Sequence, residues 1–256
     1  MHLQVSSVCK SFGYGPKAKP VLDAVSFDLH SGQFLALVGS SGSGKSTMMR
    51  LIAGLDRPSS GEIRLDGELI RGPGADRGMV FQKYSLYPWL TAAQNVAFGM
   101  RLQGRPKAEV RERTAYFLEV VGLVDSARLL PRELSGGMQQ RVAIARSLAA
   151  EPKVLLLDEP FGALDLQIRE SMQEFLHRLW MQTGLTALLI THDLEEALLL
   201  AQQVHIMAPR PGRIVRSVNA DLDRSSLAHL RVSQPFLALR EELASCLRSL
   251  DSTLTA

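Results

Sequence analysis

Short apolar runs alternate along the chain with stretches of helical period. Residues 33–39 (QFLALVG) have almost no polar break, the mark of a strand covered on both faces. That run passes into a Gly/Ser loop and then a helical stretch, STMMRLIAGL. Residues 62–67 (EIRLDG) and 77–82 (RGMVFQ) predict two further short strands. From Tyr84 to about Ala150 the period becomes helical, and over 107–123 Val110, Thr114, Phe117, Leu118 and Val121 share one face. Strands return at 153–158 (KVLLLD), 186–191 (TALLIT) and 204–208 (VHIMA). Between the first two, Ile168, Met172, Phe175, Leu176 and Leu179 mark another helical stripe. This alternation predicts an α/β fold, a mostly parallel sheet with helices on both faces, into which the helical middle is inserted. After Pro211-Gly212 comes a tail. Its end, 234–250, carries Phe236, Leu237, Leu243 and Leu247 near helical spacing, with Pro235 in the first turn.

Bulk composition narrows the picture only a little. The chain has 256 residues, enough for one large domain or one with a subdomain, and 46% hydrophobic with 21% charged residues is ordinary for a packed core. A net charge of +3 gives no electrostatic footprint for nucleic acid or a membrane surface. Cys9 and Cys246 lie at opposite ends, which is neither a disulfide framework nor a metal site, and a reducing compartment is the default. The N-terminus, MHLQVSSVCK, lacks the basic-then-apolar order of a signal peptide. No apolar run approaches the roughly 18 residues of a spanning helix. The sequence therefore predicts a soluble chain that reaches a membrane only through a partner.

Two loops carry the strongest chemistry. Residues 39–46 (GSSGSGKS) follow a strand, open a helix and match the P-loop pattern. Gly39, Gly42 and Gly44 let the backbone bend so that N–H groups, including those of Ser40, Ser41, Ser43 and Thr47, face phosphate oxygens. Lys45 reaches the β- and γ-phosphates, and the Ser46 hydroxyl is offered to Mg²⁺. A flexible Ser/Gly linker would lack the flanking strand, the helix and the Lys-Ser pair. The second loop is Ser135-Gly136-Gly137-Met138, at the mouth of the helical run QQRVAIARSLAA, where a hydroxyl and backbone N–H groups again suit an anion. One nucleotide seldom needs two cradles in one chain.

Acids and amides follow. Asp158 ends the strand KVLLLD at the edge where α/β sheets bind ligands, and there it suits Mg²⁺. Glu159, pointing differently by the alternation of strand residues, is placed to orient or deprotonate a water. A helix N-terminal acid pair is the plainer reading of the two, and the P-loop weighs against it. His192, closing the strand before THD, and Gln82, ending GMVFQ, are candidates for the γ-phosphate and for Mg²⁺ or the attacking water. A lone His after a strand is more often a structural hydrogen-bonder.

The ordered set GSSGSGKST, Gln82, LSGGM, LLLDEP, FGALD (161–165) and THD resembles the nucleotide-binding subunits of ABC transporters over about residues 1–215. Within that family 72–82 (GPGADRGMVFQ), 87–99 (YPWLTAAQNVAFG) and 158–165 (DEPFGALD) look like importers for nitrate, sulfonate and taurine, with taurine-type ATPases nearest, including the tail 233–243. The resemblance implies a P-loop NTPase fold: a RecA-like core with a mostly parallel sheet, a family-specific antiparallel β portion, and a helical subdomain at about 84–150. Residues 216–256 would form a C-terminal helical tail.

The resemblance also implies how the two cradles are used. Two copies would dimerise head to tail, so that the P-loop of one and Ser135–Met138 of the other close on one ATP. Asp165 would lie along that interface. Phe12, or after it Tyr14, would stack on adenine, unless either is core. Met138 departs from the family's usual Gln, and a thioether is a poorer hydrogen-bonding group than an amide. Slightly weaker ATP-driven dimerisation with hydrolysis retained is expected. The aromatic-rich stretch 84–99, with Tyr87 and Trp89, would receive a helix of a membrane permease, and core packing is an equal alternative for any one of its aromatics. The implied partners are a second copy, integral-membrane permease subunits and, indirectly, an extracytoplasmic substrate-binding protein, with the chain peripheral on the cytoplasmic face of the inner membrane. Nucleic-acid and ribosome-associated relatives carry paired domains or a long coiled coil, and exporters often a fused membrane domain. This sequence shows none of these.

Overall fold

The computed structural model describes residues 2–13, 15–82, 85–162 and 164–252. Tyr14, Tyr84 at the head of the aromatic stretch and Ala163 within FGALD lie outside the described residues. Contacts divide the chain into two units, residues 1–74 with 177–256, and residues 75–176.

The first unit opens with β1 (Leu3–Phe12), β2 (Lys19–Leu29) and β3 (Phe34–Val38), then α1 (Lys45–Ile52), β4 (Ser60–Leu65) and β5 (Glu68–Leu69). β2, β1, β4 and β5 pair antiparallel in that order. The β1–β2 register shifts between Val5 and Val8 and again before Lys10, and Ser7 and Ala24 there hold left-handed φ angles of 46° and 45°. Such bulges break strict alternation, which is why the sequence pattern did not mark these strands.

In the second unit β6 (Arg77–Val80) is followed by α2 (Ala92–Leu102), α3 (Lys107–Val120), α4 (Gly136–Ala149) and β7 (Val154–Asp158). β6 and β7 pair parallel from Arg77↔Val154 to Val80↔Leu157. The three helices pack on one another through Val96 and Met100, Val110, Phe117 and Leu118, and Val142 and Ile144, all buried. The stripe read on α3 is the face that is buried, Thr114 and Val121 included. Thr91 and Gln94 form a reciprocal capping box that starts α2.

α5 (Leu166–Thr183) carries the chain back to the first unit, where β8 (Ala187–Thr191), α6 (Leu194–Leu200), β9 (Gln203–Ala208), β10 (Arg213–Asn219), α7 (Leu227–Arg231) and α8 (Gln234–Ser252) complete the fold. β3 lies between β8 and β9, parallel to both, and β10 runs antiparallel outside β9. Every residue of β3 and β8 is buried, as their unbroken apolar runs require. β10 crosses residues 215 and 216, so the tail begins inside a strand. α8 buries Phe236 and Leu243 against α6 and β9. No helix among the described residues is long and apolar enough to cross a membrane.

Candidate functional site

In the first unit the loop from Gly39 to Gly44 joins β3 to α1. Close packing dictates its glycines. A Cβ on Gly39 would lie 2.6 Å from the Met207 carbonyl oxygen and 2.7 Å from Ser43 Oγ. One on Gly44 would lie 2.5 Å from Leu22 Cδ2, and Gly44 also holds φ 85°. Gly44 is the N-cap of α1 and brings no side-chain cap, so backbone N–H groups alone make up the mouth of the helix, the arrangement that binds phosphate. The Ser43 N–H closes the turn on the Ser40 carbonyl at 3.2 Å. The buried Lys45 curls over the loop and donates to the carbonyls of Gly39 at 2.7 Å and Ser40 at 3.1 Å. Ser41, Gly42 and Ser46 face solvent, and Thr47 is half-buried.

His192 is exposed immediately after β8, whose last residue Thr191 is in register with Val38 of β3. Both of its neighbours are pinned. Thr191 Oγ1 donates to the buried Glu196 at 2.6 Å, and Asp193 caps α6 by accepting from the N–H groups of Glu195 and Glu196. Phe12, at the end of β1, is 47% exposed, which excludes the core reading, and Lys10 Nζ stands 4.9 Å from its ring centroid. Lys10 in turn bonds Asp56 at 2.7 Å and holds that carboxyl below its usual range.

In the second unit Asp158 ends β7 and is half-buried. Glu159 follows the strand with φ 45°, so its direction comes from a left-handed turn and not from strand alternation. Gln82 lies two residues past the end of β6, not at the end of a strand, and its amide donates to Glu159 Oε2 at 3.3 Å. The turn after β7 closes through the Gly162 N–H on the Glu159 carbonyl at 3.2 Å. The structure thus brings Gln82 and Glu159 together at the C-terminal end of β6 and β7.

Ser135 is the N-cap of α4, its Oγ accepting from the Met138 N–H at 3.3 Å. Gly137 packs where a Cβ would lie 2.6 Å from Ile168 Cγ2. Gly136 is half-buried, as is Met138, which lines a cleft of about 270 Å³ with Arg141, Ser171 and Met172. Asp165 is exposed, and its Oδ1 accepts from the Ile168 N–H at 3.0 Å, capping α5.

Trp89 is 71% exposed, so core packing does not account for it. Tyr87 is half-buried in a ring cluster, 4.3 Å from Phe98 and 5.7 Å from Trp89 between centroids, with the Arg146 guanidinium 5.6 Å from its ring. Asn95, which the sequence analysis missed, organises this loop. Its buried amide donates to the carbonyls of Tyr87, Leu90 and Thr91 and accepts from the Tyr87 N–H at 2.9 Å. The available signal was an amide on the apolar face of a helix, one residue before Val96. Beyond it, α2 and α3 enclose a groove of about 750 Å³ with an apolar floor at Ala97, Val110 and Leu118 and a basic rim at Arg101, Lys107 and Arg111.

The donor set suits Mg²⁺. Among the described residues no three His, Cys, Asp or Glu side chains gather as a metal cage. Mg²⁺ instead takes one or two carboxylates with phosphate and water oxygens. Each unit carries donors of that kind: the exposed Ser46 hydroxyl in the first, the strand-end Asp158 carboxylate and the Gln82 amide in the second.

Comparison with known proteins identifies the family. Residues 22–162 match the family model described as ABC transporter. The chain is 47% identical to the nitrate import ATP-binding protein NrtD of Synechocystis sp., covering 100% of this chain and 98% of the relative. It is 46% identical to the taurine import ATP-binding protein TauB of Chromobacterium violaceum over 91% of each. Among solved structures, a dimeric ATP-binding cassette in a post-hydrolysis state bound to ADP and Pi matches at TM-score 0.75 and 32% identity, covering 85% of this chain and 98% of that one.

Proposed function

Since the chain belongs to the ABC transporter family and is an ATPase of that family, we propose that it energises import of nitrate, sulfonate, taurine or a related small anion or zwitterion. It works as a homodimer with membrane permease subunits, on their cytoplasmic face, and an extracytoplasmic binding protein completes the system. The observation that carries this reading is the pair of glycine-rich helix mouths suited to phosphate, α1 behind Gly44 and α4 behind Ser135, in one chain with a half-exposed Phe12 and a ring-lined loop at Trp89.

In this reading residues 39–47 hold the phosphates of one ATP, Phe12 stacks on its adenine, and Ser135–Met138 serve the nucleotide of the partner copy. Asp165 lies along the dimer interface. Ser46, Gln82 and Asp158 would hold Mg²⁺, which when bound neutralises phosphate charge. Glu159 takes a proton from the attacking water as its oxygen bonds to the γ-phosphorus. The bridging bond to the β-phosphate breaks, leaving ADP and Pi. Gln82, already bonded to Glu159, and His192 position that water, and Lys45 with the partner's Ser135 stabilises the developing charge.

Trp89 and the α2–α3 groove support docking of a permease segment on the second unit. Purifying the tagged chain from its native cells in mild detergent tests the assignment. A polytopic membrane protein in near-equal amount is expected, and Trp89→Ala is expected to lose it while basal ATP hydrolysis stays within about twofold. Ribosomal or DNA-bound partners with no membrane protein would remove the importer reading and leave the ATPase.

A further inference from the structure

The tail after β10 has no part in the chemistry above, yet three of its features converge on α6, the helix that starts two residues after His192. At the C-terminal end of α6, Arg224 donates to the carbonyls of Leu198 at 3.0 Å, Leu199 at 3.1 Å and Ala201. The same guanidinium reaches back to its own segment at Ala220 and Leu222, 3.1 and 3.2 Å away. Such a cation satisfies the orphaned carbonyls of a helix end and the negative pole of its dipole together. Along α6, α7 and α8 pack with Leu227, Leu230, Phe236 and Leu243 buried. At the first turn, Arg240 of α8 bonds the Glu195 carboxylate.

α6 is only seven residues long, too short to be stable alone. Its first turn holds both neighbours of His192, through Asp193 on the N–H groups of Glu195 and Glu196 and through Thr191 on the Glu196 carboxylate. Whatever fixes α6 therefore fixes the backbone on either side of His192. We propose that residues 220–243 are a splint for α6, and that Arg240 and Arg224 are positioning residues that set His192 through it. This rests on the role given to His192 above.

Arg240→Ala is the informative variant, because its ion pair with Glu195 is partly exposed and the chain keeps its buried tail contacts. In the full chain, kcat for ATP hydrolysis is expected to fall roughly five- to tenfold with KM for ATP unchanged, the pattern of a misplaced transition-state group. Backbone amides at 193–196 should exchange hydrogen faster while those at 39–47 do not, and Tm should stay within about 2 °C. Glu195→Ala should match it, the double variant should be no worse than either single, and Arg240→Lys should recover most of the rate. Wild-type kcat in Arg240→Ala overturns the proposal, whatever the exchange shows. His192→Ala is measured alongside. If that variant keeps normal turnover, the role of His192 itself has failed, which separates the two outcomes.

Discussion

At the residue scale, Glu159 is where the fold and the chemistry compete. Its φ of 45° is a conformation that costs a non-glycine residue of order 1 kcal/mol, and it stands in a turn held by Gly162 and beside Gln82. Glu159→Gln keeps that geometry and removes the proposed base. ATP binding and ATP-driven dimerisation are expected to persist while turnover falls by about 10²–10⁴, and near-normal turnover would remove the assignment. The same background measures Met138. In Glu159→Gln chains the ATP-bound dimer is expected to accumulate, and adding Met138→Gln to tighten it about fivefold per site, one added hydrogen bond of about 1 kcal/mol. Sedimentation against chain concentration reads this directly, and no change would mean that position 138 is only packing.

At the scale of elements, legibility followed burial. β3, β7 and β8 could be read because nearly all their residues are buried and apolar, and α3 and α5 because each buries one stripe. β1 and β2 were not, since bulges at Ser7 and Ala24 break the two-residue period. β10 was missed because it is an edge strand with a largely polar, exposed pattern. The P-loop and the Ser135–Met138 loop were legible because their residue types form continuous runs, although the contacts that require Gly39, Gly44 and Gly137, with Met207, Leu22 and Ile168, are distant in sequence. Asn95 was not, because its value comes from four hydrogen bonds to a loop that the sequence does not show folding back on α2. Asn95→Ala strips the partners from buried groups of that loop and is expected to cost about 2 kcal/mol in urea unfolding. An undiminished midpoint would mean that water replaces the amide at no cost.

At the scale of the whole molecule, buried histidines make the fold sensitive to acid. His205 is 4% exposed in β9 beside the Phe27 ring, and burial pushes its imidazole from 6.5 down to about 4. Burial lowers His177 as well. Between those two values the unfolded chain binds a proton that the folded chain refuses. The His205 contribution is therefore intact above pH 6.5 and is lost as pH falls towards 4. From pH 7 to pH 5 this should remove roughly 2 kcal/mol, seen as a lower urea midpoint. His205→Met should flatten that acid limb, and an equally steep limb in the variant would assign it to other groups.

The cap at Ser135 has a consequence for inheritance. Its oxygen accepts from the helix it starts, which leaves its proton to offer outward. An aspartate would cap α4 equally well and has no proton to give. In the dimer proposed above, a chain altered in that way would be sound by itself and defective only towards its neighbour. In a cell making both forms, most pairs would contain at least one such chain. The head-to-tail arrangement would then let one changed hydroxyl behave as a dominant lesion, although the protein that carries it folds like the wild type.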